Sequence, residues 1–185
     1  MAEPHKVATL VGSLREGSLN RKAARAIEAL APDSLRFEHV EIGRLPAYNE
    51  DLERDPPAEW MAFRDTVRGA DAVLFVTPEY NRSVPGLLKN AIDVGSRPYG
   101  KSVWSRKPAA VVSVSPGGIG GFGANHHLRQ SLVFLDMPVL QQPEAYIGNA
   151  ADLFGDDGAV KNEGTEKFLR GFAEAFAAWV KLFKG

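Results

Sequence analysis

Apolar residues along this chain fall into short unbroken runs that alternate with stretches at helical spacing, the pattern of buried strands followed by amphipathic helices. Lys6–Gly12 is an apolar run closed by glycine and predicts a buried first strand. Helical spacing follows from about Ser18 to Ala31, with Ala23, Ala24, Ile27, Ala29 and Leu30 on one face and Pro32 as its stop. Leu35–Ile42 alternates apolar and polar residues, as an edge strand covered on one face does. Gly43–Pro57 is irregular, and Ala58–Arg68 returns to helical spacing. Ala70–Thr77, halted by Pro78, is hydrophobic almost throughout and predicts a central parallel strand buried on both faces. A helix is expected over about Pro85–Val94, with proline in its first turn. A loop over Ser96–Lys107, holding Tyr99 and Trp104, leads to a further buried strand, Ala109–Val114. Next come the glycine-rich Ser115–Gly123, a helix over Asn125–Asp136, a short strand near Val139–Leu140 and a loop through Tyr146. The last helix, Thr165–Leu182, lines up Phe168, Phe172, Phe176, Trp179 and Val180, a stripe that serves core packing.

Strand and helix alternate five times without a shift in composition or an internal repeat. The pattern predicts one domain over residues 1–185, an α/β fold with a doubly wound five-stranded parallel sheet between two helical layers. Ligands of such three-layer sheets sit at the carboxyl ends of the strands, so the loops after strands one, three and four are where chemistry is expected.

Composition narrows that chemistry. The net charge of −1 leaves no basic footprint for nucleic acid. The chain has no cysteine, which excludes disulfides, thiolate catalysis, cysteine zinc sites and iron–sulfur clusters, so redox work would need a borrowed cofactor. Four scattered histidines make no metal site, and Asp152, Asp156 and Asp157, within an exposed polar stretch over Asp152–Gly164, lack calcium-loop spacing. No apolar run approaches the roughly 18 residues that span a bilayer, and Met1–Lys6 has no signal-peptide core; a cytoplasmic location is expected.

The first loop, Gly12–Asn20, offers Ser13, Arg15, Ser18 and Asn20 at the start of a helix, where free N–H groups and the helix dipole favour an anion. It lacks both the Walker lysine and the spaced glycines of a dinucleotide fingerprint, so it suits a terminal phosphate monoester. The loop after the third strand, Thr77–Gly86, is stiffened by two prolines and carries Tyr80 and Asn81, a wall and polar groups for a planar heterocycle. The loop after the fourth, Ser115–Gly123, has five glycines and permits close approach of a flat ligand. Its Gly118, Gly120 and Gly123 match G-x-G-x-x-G, but a dinucleotide fingerprint belongs after the first strand with a carboxylate ending the second.

Three motifs in order, Gly-Ser-Leu-Arg-x-x-Ser-x-Asn at 12–20, Thr-Pro-Glu-Tyr-Asn-x-Ser-x-Pro-Gly at 77–86 and Ser-x-Gly-x-x-Gly-Gly at 115–121, resemble those of the NADPH-dependent FMN reductase family. Within it, His127–Gln130 and Leu132–Asp136 look closest to the bacterial chromate/quinone reductase branch. The resemblance implies a flavodoxin-like sheet of order 2-1-3-4-5 and non-covalently held FMN. It implies that Ser13, Arg15, Ser18 and Asn20 take the phosphate. Pro78, Glu79, Tyr80 and Asn81 would line the isoalloxazine, and Ser115, Gly117 and Gly118 would close its other side. It further implies a homodimer or homotetramer, with contacts after Asn90 and around Arg129; the charge balance and the lack of a long apolar run lead to the expectation of no nucleic-acid partner and no membrane insertion. The expected activity is transfer of hydride from NADH or NADPH through FMN to a quinone, and also to chromate or azo compounds. No side chain need act as acid or base; His126 and His127 stand near the glycine loop, Arg82 is given no role, and Arg97, Tyr99 and Lys101 are candidates for a rim where a nucleotide phosphate or anionic acceptor lands. A non-enzymatic flavodoxin-type electron carrier is the alternative.

Overall fold

Six consecutive apolar or small residues, Ala72–Thr77, form a strand with every side chain buried, and the rest of the molecule is layered about it. The computed structural model describes residues 3–155 and 157–184; Asp156 of the acidic stretch lies outside them. Strands β1 (His5–Val11), β2 (Leu35–His39), β3 (Ala72–Thr77), β4 (Ala109–Val114) and β5 (Ala145–Ile147) make one parallel sheet in the order β2-β1-β3-β4-β5. Helices α1 (Leu19–Leu30), α2 (Ala58–Arg68), α3 (Gly86–Gly95), α4 (Phe122–Phe134) and α5 (Glu163–Lys184) connect and flank them.

The period of two along each strand sorts side chains to opposite faces. Ala72, Leu74 and Val76 of β3 pack with Ala23, Ala24 and Ile27 of α1 and Leu169, Phe172 and Phe176 of α5. Val73 and Phe75 point the other way, onto Trp60 and Phe63 of α2, Leu88 and Ile92 of α3 and Leu128 of α4. Two cores of this kind, one on each face, are what a doubly wound sheet requires, and the expected layering and strand order are found. The aromatic stripe of the last helix is core, as expected: Phe172 and Phe176 are buried and Phe168 and Trp179 pack against the same cluster.

Two expectations need correction. The fifth strand is Ala145–Ile147, not Val139–Leu140. Val139 makes only an isolated bridge to Ala109, since Pro138 and Pro143 have no N–H to extend a ladder through this segment. Pairing resumes where Ala145, Tyr146 and Ile147 lie opposite Val112, Ser113 and Val114. The stretch after Asp152 is not wholly an exposed turn either: Phe154 is buried in the α1/α5 core and bridges Val160.

Candidate active site

The carboxyl ends of β1, β3 and β4 are level, with Val11 opposite Val76 and Thr77 opposite Ser113, so the three loops leave the sheet side by side. Contacts knit them together. A methyl group placed on Gly12 would lie 3.1 Å from Pro78 Cδ and 3.2 Å from Leu88, so the first loop runs against the third. Asn20 Nδ2 donates to the Val114 carbonyl at 3.4 Å, which ties the first loop to the end of β4. One placed on Gly123 would meet the Arg82 carbonyl at 2.8 Å and Glu79 Oε2 at 2.9 Å, joining the third loop to the glycine-rich one.

The first loop is an open anion cradle. Ser13 and Ser18 are each 3% exposed and Asn20 5%, so their polar groups face the loop interior rather than bulk water. Ser18 is the helix cap: its Oγ accepts from Arg21 N at 3.2 Å, and its own hydroxyl proton stays available. The backbone N–H groups of Leu14, Arg15, Glu16 and Gly17 have no acceptor among the described residues. Asn20 Oδ1 is buried without a partner, an acceptor waiting for a donor. Arg15 is exposed and, among the described residues, unpaired. Unpaired N–H donors, buried hydroxyls, a free guanidinium and one orphaned acceptor in a single loop fit a phosphate joined to a hydroxylated chain.

The third loop is a tight hairpin turn. Tyr80 and Ser83 exchange two backbone hydrogen bonds of 3.0 Å, and Asn81 and Arg82 between them both have positive φ, 50° and 64°. That is the geometry of a type I′ turn, in which glycine and asparagine are favoured and arginine is not. Tyr80 stands 49% exposed at its shoulder, with Asn81 exposed at the tip and Pro78 half-buried at the base. The Glu79 carboxylate is engaged elsewhere. Its Oε2 accepts from Ala124 N at 3.0 Å in the first turn of α4, and its Oε1 from Arg82 Nη1 at 3.2 Å. The helix cap, Gly121, has no side chain to offer, so Glu79 caps α4 from another loop.

The glycine-rich loop leans on the segment after β5. A methyl on Gly120 would sit 2.7 Å from the Tyr146 backbone, and one on Gly148 2.5 Å from the Gly118 carbonyl. Ser115 Oγ accepts from Gly117 N at 3.1 Å, while Gly117 and Gly118 are exposed. The segment Gly148–Asn149 was no part of the expected site, although a Gly-Asn pair is itself a turn signal. Beside it Phe122, His126 and Tyr146 form an aromatic group, with His126 Nε2 2.9 Å from the Tyr146 hydroxyl. Burial, then the neighbouring Glu144 carboxylate, pushes the Tyr146 pKa up to about 12. His127 is drawn instead to the third loop, its Nδ1 3.0 Å from Ser83 Oγ.

The model of the NADPH-dependent FMN reductase family matches residues 5–152, which include all three loops. The chain belongs to this family. A quinone reductase of Pseudomonas putida is 66% identical over 183 residues, covering 98% of each chain. A 2-hydroxy-1,4-benzoquinone reductase of Burkholderia is 45% identical over 176 residues, covering 95% of this chain and 96% of its own. FerB, a flavoenzyme NAD(P)H:(acceptor) oxidoreductase from Paracoccus denitrificans, superposes with a TM-score of 0.92 at 45% identity, covering 97% of this chain and 98% of that one. An FMN reductase of this kind is a flavodoxin-like oxidoreductase that works with FMN and draws on NAD(P)H, so the enzyme is favoured over the passive carrier.

Proposed function

We propose that this FMN reductase passes electrons from NAD(P)H to quinones, with the FMN phosphate in the Gly12–Asn20 cradle. The observation that carries it is the set of unsatisfied donors and the orphaned Asn20 Oδ1 in that loop, which answer the needs of a phosphate on a polyhydroxy chain. Ser13, Ser18 and Asn20 hold the phosphate and its chain from within, and Arg15 closes over it from outside. Tyr80, Asn81 and Pro78 bound the ring on one side, and Ser115, Gly117 and Gly118 on the other, where bare backbone permits close approach. Glu79 contributes through the loop it holds rather than through its carboxylate.

When bound, FMN supplies the two-electron step, accepting hydride from NAD(P)H and giving it to the acceptor, which takes a proton from solvent to become hydroquinone. The protein's part is orientation in an open slot, so no side chain is asked to move a proton. A quinone as acceptor agrees with relatives named for quinones at 66% and 45% identity. Chromate and azo compounds suit the same exposed ring. We assign the enzyme to the cytoplasm; among the described residues no helix is long and apolar enough to cross a membrane.

A homodimer or homotetramer goes with this reading. A groove of about 620 Å³ between α3 and α4, lined by Lys89, Asp93, Arg97, His127 and Phe134, opens beside the third loop, and Phe134 is 87% exposed at its edge. Arg129 is turned inward to Asn125 Oδ1 and the Leu140 carbonyl, so the contact face is better sought at Gln130 and Phe134. The deciding experiment is the absorbance spectrum of the purified protein, followed by turnover of NADH and NADPH with a panel of acceptors. Yellow protein that reduces quinones is expected; protein that takes up no FMN, or whose flavin is not bleached by either nucleotide, overturns the proposal.

A further inference from the structure

We propose that a second anion pocket, between α1 and the end of β2, receives the phosphate that distinguishes NADPH from NADH. The inference rests on the NAD(P)H-dependent reading above and deepens it. The pocket, of about 300 Å³, is lined by Thr9, Val11, Leu14, Arg21, Arg25, His39, Val40, Glu41 and Ile42. That volume is at the small end of ligand sites, enough for a phosphate and part of its sugar rather than a whole dinucleotide.

The arrangement of charge is what singles it out. Arg21 and Arg25 stand four residues apart on one face of α1, and neither has an ion-pair or hydrogen-bond partner for its side chain among the described residues. Two carboxylates stand nearby, and each is held by hydrogen bonds to other groups rather than paired with either arginine. Glu28 accepts from Thr9 Oγ1 at 3.1 Å and holds His39 Nε2 at 3.0 Å, and Glu41 Oε1 accepts from Gly43 N at 2.7 Å. Thr9 is fully buried and lies in register with His39 across the β1–β2 ladder, so the Thr9–Glu28 bond fixes the carboxylate that in turn fixes the imidazole. Two unpaired guanidinium groups and an oriented histidine line one hollow, beside the Glu41 carboxylate that Gly43 N holds. Guanidinium forks match phosphate oxygens in geometry as well as charge.

Position links the pocket to the nucleotide. Leu14 belongs to the phosphate cradle and is also a wall of this hollow, and it is pressed so closely on the segment after β2 that a methyl on Gly43 would lie 2.7 Å from it. Val11, Val40 and Ile42 complete an apolar wall for a sugar. With FMN in the cradle, this neighbouring pocket lies within reach of a second phosphate monoester.

The test uses FMN-loaded protein titrated by calorimetry with adenosine 2′,5′-bisphosphate, adenosine 5′-monophosphate and inorganic phosphate. The bisphosphate should bind one per chain, compete with NADPH, and bind more tightly than the monophosphate. Arg21→Ala/Arg25→Ala should lose about tenfold or more of that affinity and raise the KM for NADPH by a like factor, with kcat, bound FMN and NADH turnover unchanged. Arg25→Glu, at an exposed position, guards against a fold defect in the double variant and should weaken bisphosphate binding further. Absence of bisphosphate binding, or equal affinity in the variants, overturns the site. Binding that does not compete with NADPH, shared with inorganic phosphate, overturns the assignment to the nucleotide and leaves a free-anion pocket. Failure of both NADH and NADPH to reduce the flavin of the unaltered protein would instead strike the reading on which the proposal rests.

Discussion

Arg15 and Glu79 are both charged residues of ligand loops, yet their surroundings give them different work. Arg15 is exposed and unpaired among the described residues, free to close on a phosphate. Arg15→Ala should weaken FMN binding by about 2 kcal/mol, the loss of one charge-assisted hydrogen bond, as read by flavin fluorescence titration of apoprotein. An unchanged affinity would mean that the phosphate lies elsewhere. Glu79 is fastened to Ala124 N and Arg82, so its removal should act on shape. Glu79→Ala should cost about 1–2 kcal/mol of stability by uncapping α4, and lower FMN affinity because two walls of the slot lose their clasp. Glu79→Gln, which keeps an acceptor oxygen, should recover most of both; equal behaviour of the two variants would show that charge and not capping matters. The residue types of the first loop were legible because hydroxyls, an amide and a guanidinium crowd the one place where a strand meets a helix. The direction of the Glu79 carboxylate was not, because its partner lies 45 residues away along the chain.

Elements were legible where burial was uniform and illegible where packing came from afar. β3 and β4 are buried on both faces, and their continuous apolar runs allow no other reading. β5 is three residues long, and its placement depends on the prolines at 138 and 143 and on the carboxyl end of β4 with which it pairs, none of which an apolar run of two residues discloses. The connection from α3 to β4 makes the same point. As sequence it is a polar loop, but its Trp104 is fully buried against Phe63 and Phe75, with its indole N–H donating to the Ile92 carbonyl at 2.9 Å. The last residue of α3, Gly95, is what admits it, for a methyl there would lie 2.5 Å from the indole ring. Gly95→Ala should therefore destabilise the protein by about 1–3 kcal/mol through overpacking, despite the better helix propensity of alanine. Denaturant midpoints of the two proteins check this; a gain in stability would mean that the tryptophan has room to yield.

At the scale of the whole molecule, a buried lysine and a half-buried tyrosine sit at opposite ends of the sheet and bend its pH–stability profile in opposite directions. Lys107, just before β4, donates Nζ to the Ala70 carbonyl at the start of β3, and burial lowers its pKa from 10.5 to about 8. Between those values the unfolded chain holds a proton that the folded one has released, so stability rises with pH across that window. Tyr146, beside the glycine-rich loop at the far end, is raised from 10.0 to about 12. There the folded state keeps a proton that the unfolded chain has lost, so its contribution is full below pH 10 and falls away as pH climbs through 12. The two windows barely overlap, so the Lys107 limb can be read alone between about pH 8 and 10. Lys107→Met keeps the stem that fills the core and removes the titration, so the difference in unfolding free energy between wild type and variant should change with pH over that range and level off below it. Lys107 stands before β4, at the opposite end of the strands from the three ligand loops, so this slope should be present in apoprotein and FMN-loaded protein alike. Parallel profiles for wild type and Lys107→Met would assign the alkaline gain to another residue and remove Lys107 as its source.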